Sequence, residues 1–180
     1  MFKNTKALSK EDKEYGEFAA FKAGAFTLRN EKVEIGEADE KEWSEDAKTY
    51  VPTGRKIPQI ILTHGVYKSN GSNEVLNVKG ETIVGAQIKT WINDMNLGWN
   101  KKENVPQDGR AVITASLGLA PDAEIPGNLD PVTLLNKKFT CLLQVTQKPG
   151  KNPKNKMTNV EAFLEEIPGI EDVDINEEGR

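Results

Sequence analysis

From Ile57 the chain alternates with a period of two. Ile60, Leu62, His64 and Val66 fall on one side of an extended segment, and Ile61, Thr63 and Tyr67 on the other, the pattern of a strand with one face in a core. Lys68-Ser69-Asn70-Gly71-Ser72-Asn73 follows, and its Asn-Gly pair tolerates the positive φ of a tight turn. A second strand is predicted over Glu74 to Glu81, where Leu76 and Val78 alternate, and a third over Ala86 to Ile92, with Gly80 and Gly85 bracketing the turn between them. On this third strand Ala86, Ile88, Thr90 and Ile92 share one side, while Gln87, Lys89 and Trp91 share the other. The period then lengthens. Ala111, Ala115 and Leu119 recur every fourth residue, which predicts a short helix over Arg110 to Leu119, capped by Asp108-Gly109 and ended by Gly118 and Pro121. Asp130-Pro131 predicts one more helical turn, through Leu135, because the Asp carboxylate accepts orphan N–H groups and Pro fits the first turn. A fourth strand follows over Lys138 to Gln147, with Phe139, Cys141, Leu143 and Val145 on one face, and a fifth over Met157 to Leu164.

The first third of the chain is less regular. Residues 1–23 mix Lys and Glu with Ala, Phe and Leu and read as a weakly helical arm, from which Phe18 and Phe21 dock onto the body. Phe26, Leu28, Val33 and Ile35 alternate in part and predict a strand, or a hairpin around Arg29-Asn30. Residues 36–56 are acidic and turn-rich and read as a long surface loop. The expected division is therefore an N-terminal arm and acidic loop over residues 1–50, partly packed on the body, a body over 51–164, and a flexible acidic tail over 165–180. Strand, strand, strand, helix, strand, strand is the element string of a five-stranded Greek-key barrel with its helix between strands 3 and 4. That is the β-rich (α+β) OB-fold, whose sheet face and adjoining loops bind oligonucleotides or oligosaccharides. Other small barrels and α+β sandwiches share the string.

Charge sharpens the picture because it is unevenly placed. The net charge is −4, yet residues 51–160 carry 14 basic and 8 acidic side chains, whereas residues 161–180 carry 1 basic and 8 acidic. Residues 1–50 carry 9 basic and 12 acidic. A basic body with an acidic tail points to a polyanionic partner. The tail interleaves acids with single aliphatics after Pro168-Gly169 and cannot bury enough to fold alone. It is expected to recruit replication or recombination proteins and to compete electrostatically for the basic face. No stretch approaches the roughly 18 apolar residues of a membrane span. Charge, and no apolar run, follows Met1-Phe2-Lys3-Asn4-Thr5-Lys6, and Cys141 is the only cysteine. A cytoplasmic location without membrane association or disulfides is expected.

The inventory for catalysis is thin, and no enzyme and no cofactor are expected. His64 is the only histidine and sits mid-strand among aliphatics, as a packed structural histidine does. One His and one Cys make no zinc set. Cys141, on the apolar face of its strand, reads as a small buried hydrophobe. A metal-dependent nuclease needs acids projecting from core strands, and only Glu74, Glu81 and Asp94 come near that. The strongest local signal is the Lys148-Pro149-Gly150-Lys151-Asn152-Pro153-Lys154-Asn155-Lys156 loop, with four lysines and no acid. Lysines that follow a backbone and aromatics that stack on bases are the two parts of sequence-tolerant single-strand binding. The candidate binding residues are Tyr67, Lys68, Lys79, Lys89, Trp91, Lys148, Lys151, Lys154 and Lys156. Trp43 and Trp99 are expected in loops.

The run Gly65-Val66-Tyr67-Lys68-Ser69-Asn70-Gly71-Ser72-Asn73-Glu74-Val75-Leu76-Asn77-Val78, with Gly80-Glu81 after it, resembles the first hairpin of bacteriophage single-stranded-DNA-binding proteins of the OB type. So do Ala111 to Leu119 and Asp130, with Leu134-Leu135-Asn136-Lys137-Lys138-Phe139 leading into the fourth strand. The similarity covers roughly residues 57–165 and is one of pattern. It departs from the better-known bacterial single-strand binders in ending Glu-Glu-Gly-Arg, without a terminal aromatic, which puts their mode of tail docking in doubt. The resemblance implies non-catalytic binding of single-stranded DNA in phage replication or recombination, in the host cytoplasm. The alternative is a protein-binding module, a phage inhibitor or nucleic-acid mimic acting through its acidic segments.

Overall fold

The computed structural model describes residues 20–163. The expected docking of Phe18, and the whole tail over 165–180, lie outside the described residues. Ten strands and helices follow in order: β1 (Gly24–Ser44), β2 (Thr49–Tyr67), β3 (Glu74–Leu76), β4 (Thr82–Val84), β5 (Gln87–Ile92), β6 (Trp99–Asn100), β7 (Val105–Pro106), α1 (Asp108–Ser116), β8 (Lys138–Thr146) and β9 (Lys154–Ala162). Short 3-10 turns stand at Asp94–Asn96 and Pro131–Leu134. Five of the strands form one antiparallel sheet in the order β5-β2-β1-β8-β9. The fold is thus β-rich, α+β, with its helix between the third and fourth sheet strands in chain order. The sheet is not closed into a barrel: among the described residues no ladder joins its edges, β5 and β9. Helix α1 touches both of these edge strands as well as β8.

The alternation from Ile57 onward has a direct physical outcome. Leu62 and Val66 of β2, Ile92 of β5 and Phe139, Cys141 and Leu143 of β8 are buried on the inner face, where Leu28 of β1 joins them. Val112, Ile113 and Ala115 of α1, Val75 of β3, Ala86, Leu134 and Phe21 join the same core. Full burial of a side chain such as Phe139 stabilises by about 1.5–3 kcal/mol. Phe21 is further tied down through Asn155 on β9, whose Oδ1 accepts its N–H at 2.7 Å and whose Nδ2 donates to its carbonyl at 3.0 Å.

A polar chain runs through this core. Asn30 of β1 is fully buried; its Nδ2 donates to Ser116 Oγ of α1 (3.1 Å) and to the Leu134 carbonyl (2.8 Å). That leaves Asn30 Oδ1 facing His64 Nδ1 at 2.8 Å, so Nδ1 carries the proton, and Nε2 accepts from Thr90 Oγ1 at 2.8 Å. Burial lowers the His64 pKa to about 3, and its ring meets Phe139 edge-on at 5.3 Å. His64 is a neutral core histidine that ties β1, β2, β5 and α1 together, with both ring nitrogens satisfied.

Three expectations need correction. Residues 36–56 are not a surface loop: β1 and β2 run on, paired from Gly36↔Gln59 to Ser44↔Thr49, as a hairpin arm. The division expected after residue 50 accordingly falls inside β2, and β1 is the central strand of the sheet. The predicted strand over Glu74 to Glu81 is a tight hairpin, β3 paired with β4, outside the main sheet. Asn77 Oδ1 accepts from the N–H groups of Lys79 and Glu81, both at 2.9 Å, and Gly80 adopts φ 82°, so the chain reverses where the alternation predicted continuation. Trp43 and Trp99 stand in β1 and β6, not in loops. The smaller differences are shifts of boundary. Gln107, without a side-chain cap bond, precedes α1, and Asp108 is its first residue; Asp130 does accept from Val132 N–H, as its place before Pro131 predicts. Strand β9 begins at Lys154, ahead of the predicted start at Met157.

Candidate nucleic-acid interface

Period-two alternation and register together decide which side chains share the outer face of the sheet. Gln87, Lys89 and Trp91 of β5 lie opposite Gly65, Thr63 and Ile61 of β2. Gly65 pairs with Arg29 of β1, and Arg29 with Lys138 of β8. Further along β8, Gln144 pairs with Lys156 and Thr146 with Lys154 of β9. Directly opposed residues project to the same side of a sheet. Trp91 and Lys89 at one edge and Lys154 and Lys156 at the other are therefore co-facial, with β2, β1 and β8 between them. At about 4.8 Å per strand the two edges stand roughly 19 Å apart across the strands, and along them Trp91, level with Glu34, is offset from Lys156, beyond the level of Gly24, by about ten residues or roughly 33 Å.

The predicted residues divide accordingly. Trp91 is 51% exposed and stands ready to stack. Lys89, Lys154 and Lys156 are exposed on the same face, and Lys156 Nζ lies 3.9 Å from Glu103 of the β6–β7 turn. Lys148 and Lys151 sit in the β8–β9 turn, at the far edge from Trp91. Lys68 follows β2 in the turn closed by Lys68 N–H on Ser72 C=O; Lys79 belongs to the β3–β4 turn, whose Asn77 bridges to Phe21, and Phe21 is bonded in turn to Asn155, between Lys154 and Lys156 of β9. Beside β9, between it, α1 and the β6–β7 hairpin, lies a cleft of about 990 Å³ whose walls include Glu103, Asp108 and Glu161 beside Lys156. That mixture of charge does not favour a phosphate.

Tyr67 is not a free stacking platform. Its hydroxyl donates to Glu31 Oε1 at 2.5 Å and accepts from Arg29 Nη2 at 2.8 Å, and the Arg29 guanidinium carbon lies 5.3 Å from its ring centroid. Burial, reinforced by the Glu31 carboxylate, pushes the Tyr67 pKa up to about 12, so the phenol keeps its proton and donates. Arg29 and Glu31 were not among the residues predicted. Arg29 falls in the β1 register beside Gly65, but Glu31 is the extra residue of a β-bulge: Asn30 pairs with His64 and Lys32 already with Thr63. The bulge lays the Glu31 side chain over Gly65, where a Cβ would fall on its carboxylate oxygen Oε1. A signal was present in the sequence, since Gly65 interrupts the outer face of an otherwise β-branched and apolar strand, and such a glycine marks a close approach.

Other groups stay out of the site. Cys141 is buried on the inner face, and burial pushes its thiol up to about 12. Among the described residues no three of His, Cys, Asp and Glu gather so as to hold a metal ion, and no helix is long and apolar enough to cross a membrane. No protein-family model matches the chain, and a search of curated proteins returns no match.

Proposed function

We propose that the chain binds single-stranded DNA without catalysis, as an OB-type protein of phage replication or recombination. One observation carries this reading: a single sheet face gathers the exposed Trp91 with Lys89, Arg29, Lys138, Lys154 and Lys156. A strand running obliquely over the face meets an aromatic at β5 and cations as far as β9. Trp91 is level with Glu34 of β1 and Lys156 lies beyond the level of Gly24, so about 33 Å along the strands is added to about 19 Å across them. Stacking on Trp91 supplies about 1–3 kcal/mol per base and does not depend on which base is stacked. The OB assignment is supported by the connectivity, with α1 between the third and fourth sheet strands, and by α1 touching the edges that a barrel would join. The chain would work as an open form of that fold.

A fluorescence titration with single-stranded and duplex DNA of equal length, at two salt concentrations, tests the proposal. Single strands bind more tightly, and Trp91→Phe removes most of the quenching. Replacing Lys148, Lys151, Lys154 and Lys156 by Ala flattens the slope of log affinity against log salt by about 0.7 for each phosphate that is no longer neutralised. Equal affinity for both DNA forms, or none at low salt, overturns the reading.

One feature favours a second reading, a protein-binding module acting through acidic segments. The hairpin arm exposes Ile35 (70%), Trp43 (48%) and Tyr50 (65%) among Glu34, Glu37, Asp39, Glu40 and Glu42. On that reading oligonucleotides leave the fluorescence unchanged even at low salt.

A further inference from the structure

Arg29 is 7% exposed, and only one of its three guanidinium nitrogens is used. Nη2 donates to Glu31 Oε1 at 2.9 Å and to Tyr67; Nε and Nη1 are buried and have no hydrogen-bond partner among the described residues. Thr63 Oγ1, on the outer face of the neighbouring strand, is buried and unpaired as well. A buried guanidinium normally meets a carboxylate through two parallel N–H···O bonds. Here Glu31 meets it through one. The same carboxylate accepts from Tyr67 Oη at 2.5 Å and, through Oε2, from Gln87 Nε2 at 3.2 Å. Donors from β1, β2 and β5 thus converge on one anionic group, in a hollow that exists because residue 65 is glycine.

We infer that Arg29, Tyr67 and Gln87 form a phosphate-binding subsite on the outer face, and that Glu31 is an internal anion occupying it until a backbone phosphate displaces it. This deepens the DNA-binding proposal and rests on it for the identity of the ligand. The physical logic is exchange. Without any anion, Arg29 would be a buried charge lacking its counter-ion, a strongly destabilising state. Glu31 supplies one from a bulge, where a single side chain can swing out without disturbing the ladder. A phosphate brings more acceptor oxygens than Glu31 offers to Arg29, and so can engage the donors that Glu31 leaves unused. Lys138 stands beside Arg29 in the register and Lys89 two residues beyond Gln87 on β5, opposite Thr63, and the two hold the incoming strand.

The test uses the full chain and two probes, a single-stranded oligothymidylate and inorganic tripolyphosphate. E31Q keeps the shape of the side chain and removes its charge. It is expected to tighten both probes about tenfold, the effect of releasing one charge-assisted hydrogen bond to the ligand. R29K, which keeps charge but loses the fork, weakens both probes. In the wild-type chain, needing no variant to fold, the carboxyl carbon resonance of Glu31 moves on adding either probe. If the oligonucleotide binds while that resonance stays put and E31Q changes nothing, the subsite is wrong and the DNA-binding reading survives. If tripolyphosphate moves the resonance and no oligonucleotide binds, the subsite stands and the nucleic-acid reading falls. If neither probe binds, both are overturned.

Discussion

Between Thr27 and Arg29, β1 has β2 on one side and β8 on the other, and Thr27 to Asn30 are all buried. Between Val33 and Ser44 the same strand has β2 alone. The near half is held by the core beneath it, and one-sided burial imposes the alternation seen in Leu62, His64 and Val66. Beyond Val33, which still packs on the core, the far half is reached from the body by Met95, whose Sδ accepts from Lys41 N–H at 3.3 Å, and otherwise holds itself through contacts between its two strands. Lys56 pairs with Asp39 and Arg55 with Glu40, both at 2.5 Å; Thr53 donates to Glu40 at 3.0 Å; Trp43 meets Tyr50 edge-on at 5.3 Å. An aromatic cross-strand pair such as Trp43–Tyr50 contributes roughly 0.2–1 kcal/mol. A strand can therefore be continued by register inherited from the sheet, without the apolar stripe that normally announces it.

Truncating buried side chains in the near half and exposed ones in the far half should have very different consequences. Leu62→Ala or Phe139→Ala, at positions with no exposure, should destabilise by about 2–5 kcal/mol. Ile35→Ala in the arm, at 70% exposure, should change stability by no more than about 0.5 kcal/mol. Urea midpoints at constant slope measure both. A large loss at Ile35 would mean that something covers the arm.

A smaller effect distinguishes the halves by pH. His64 in the near half has a folded-state pKa of about 3 against an ordinary 6.5, so below 6.5 the unfolded chain binds a proton that the folded chain refuses. Stability should then fall with decreasing pH, by up to about 1.4 kcal/mol per unit once well below 6.5 and until the folded value is approached. The window from about pH 6.5 to about 5 lies above the ordinary carboxylate range and isolates the histidine. His64→Gln should abolish the slope in that window; an unchanged slope would place the proton elsewhere.

The smallest effect belongs to the arm. The hydrogen bond and charge of Lys56 hold the Asp39 carboxyl below its usual range, which would favour folding above that range and lose the benefit as pH falls through it. Both groups are exposed, however, and exposed pairs contribute little and are screened by salt. Asp39→Asn should leave the urea midpoint at neutral pH unmoved at both low and high salt. A clear loss at low salt that fades at high salt would show the arm to depend on its ion pairs.

Where burial was one-sided, the elements were legible from residue types alone. The strand from Ile57, the strand at Gln87–Ile92, the helix from Asp108 and the strand from Lys138 follow from apolar periods of two and nearly four, because the core admits only the residues that face it. The turn at Asp130-Pro131 and the neutral, packed character of His64 follow from local chemistry in the same way. The outer-face position of Lys89 and Trp91 was equally readable, since it is the complement of Ile88 and Ile92. The arm was not readable, because Glu34 to Ser44 serve no core and carry no period that burial enforces. Nor was the reversal at Asn77, where one side-chain oxygen holding two backbone N–H groups outweighs a short run of alternation.

What the sequence by itself determined is the local stock of this protein: the inner-facing apolar residues, the helix, and a basic body with an exposed tryptophan. Which of those residues share one sheet face was decided by the tertiary structure. Strand order sets Lys154 and Lys156 at the opposite edge from Trp91 while register keeps them on its face. A one-residue bulge turns Glu31 over Gly65 and into the donors of Arg29, Tyr67 and Gln87. The physical reason is that the side-chain period of a strand is local and written in neighbouring residues. Strand order and register depend instead on contacts between segments far apart in the chain, and no single segment encodes them.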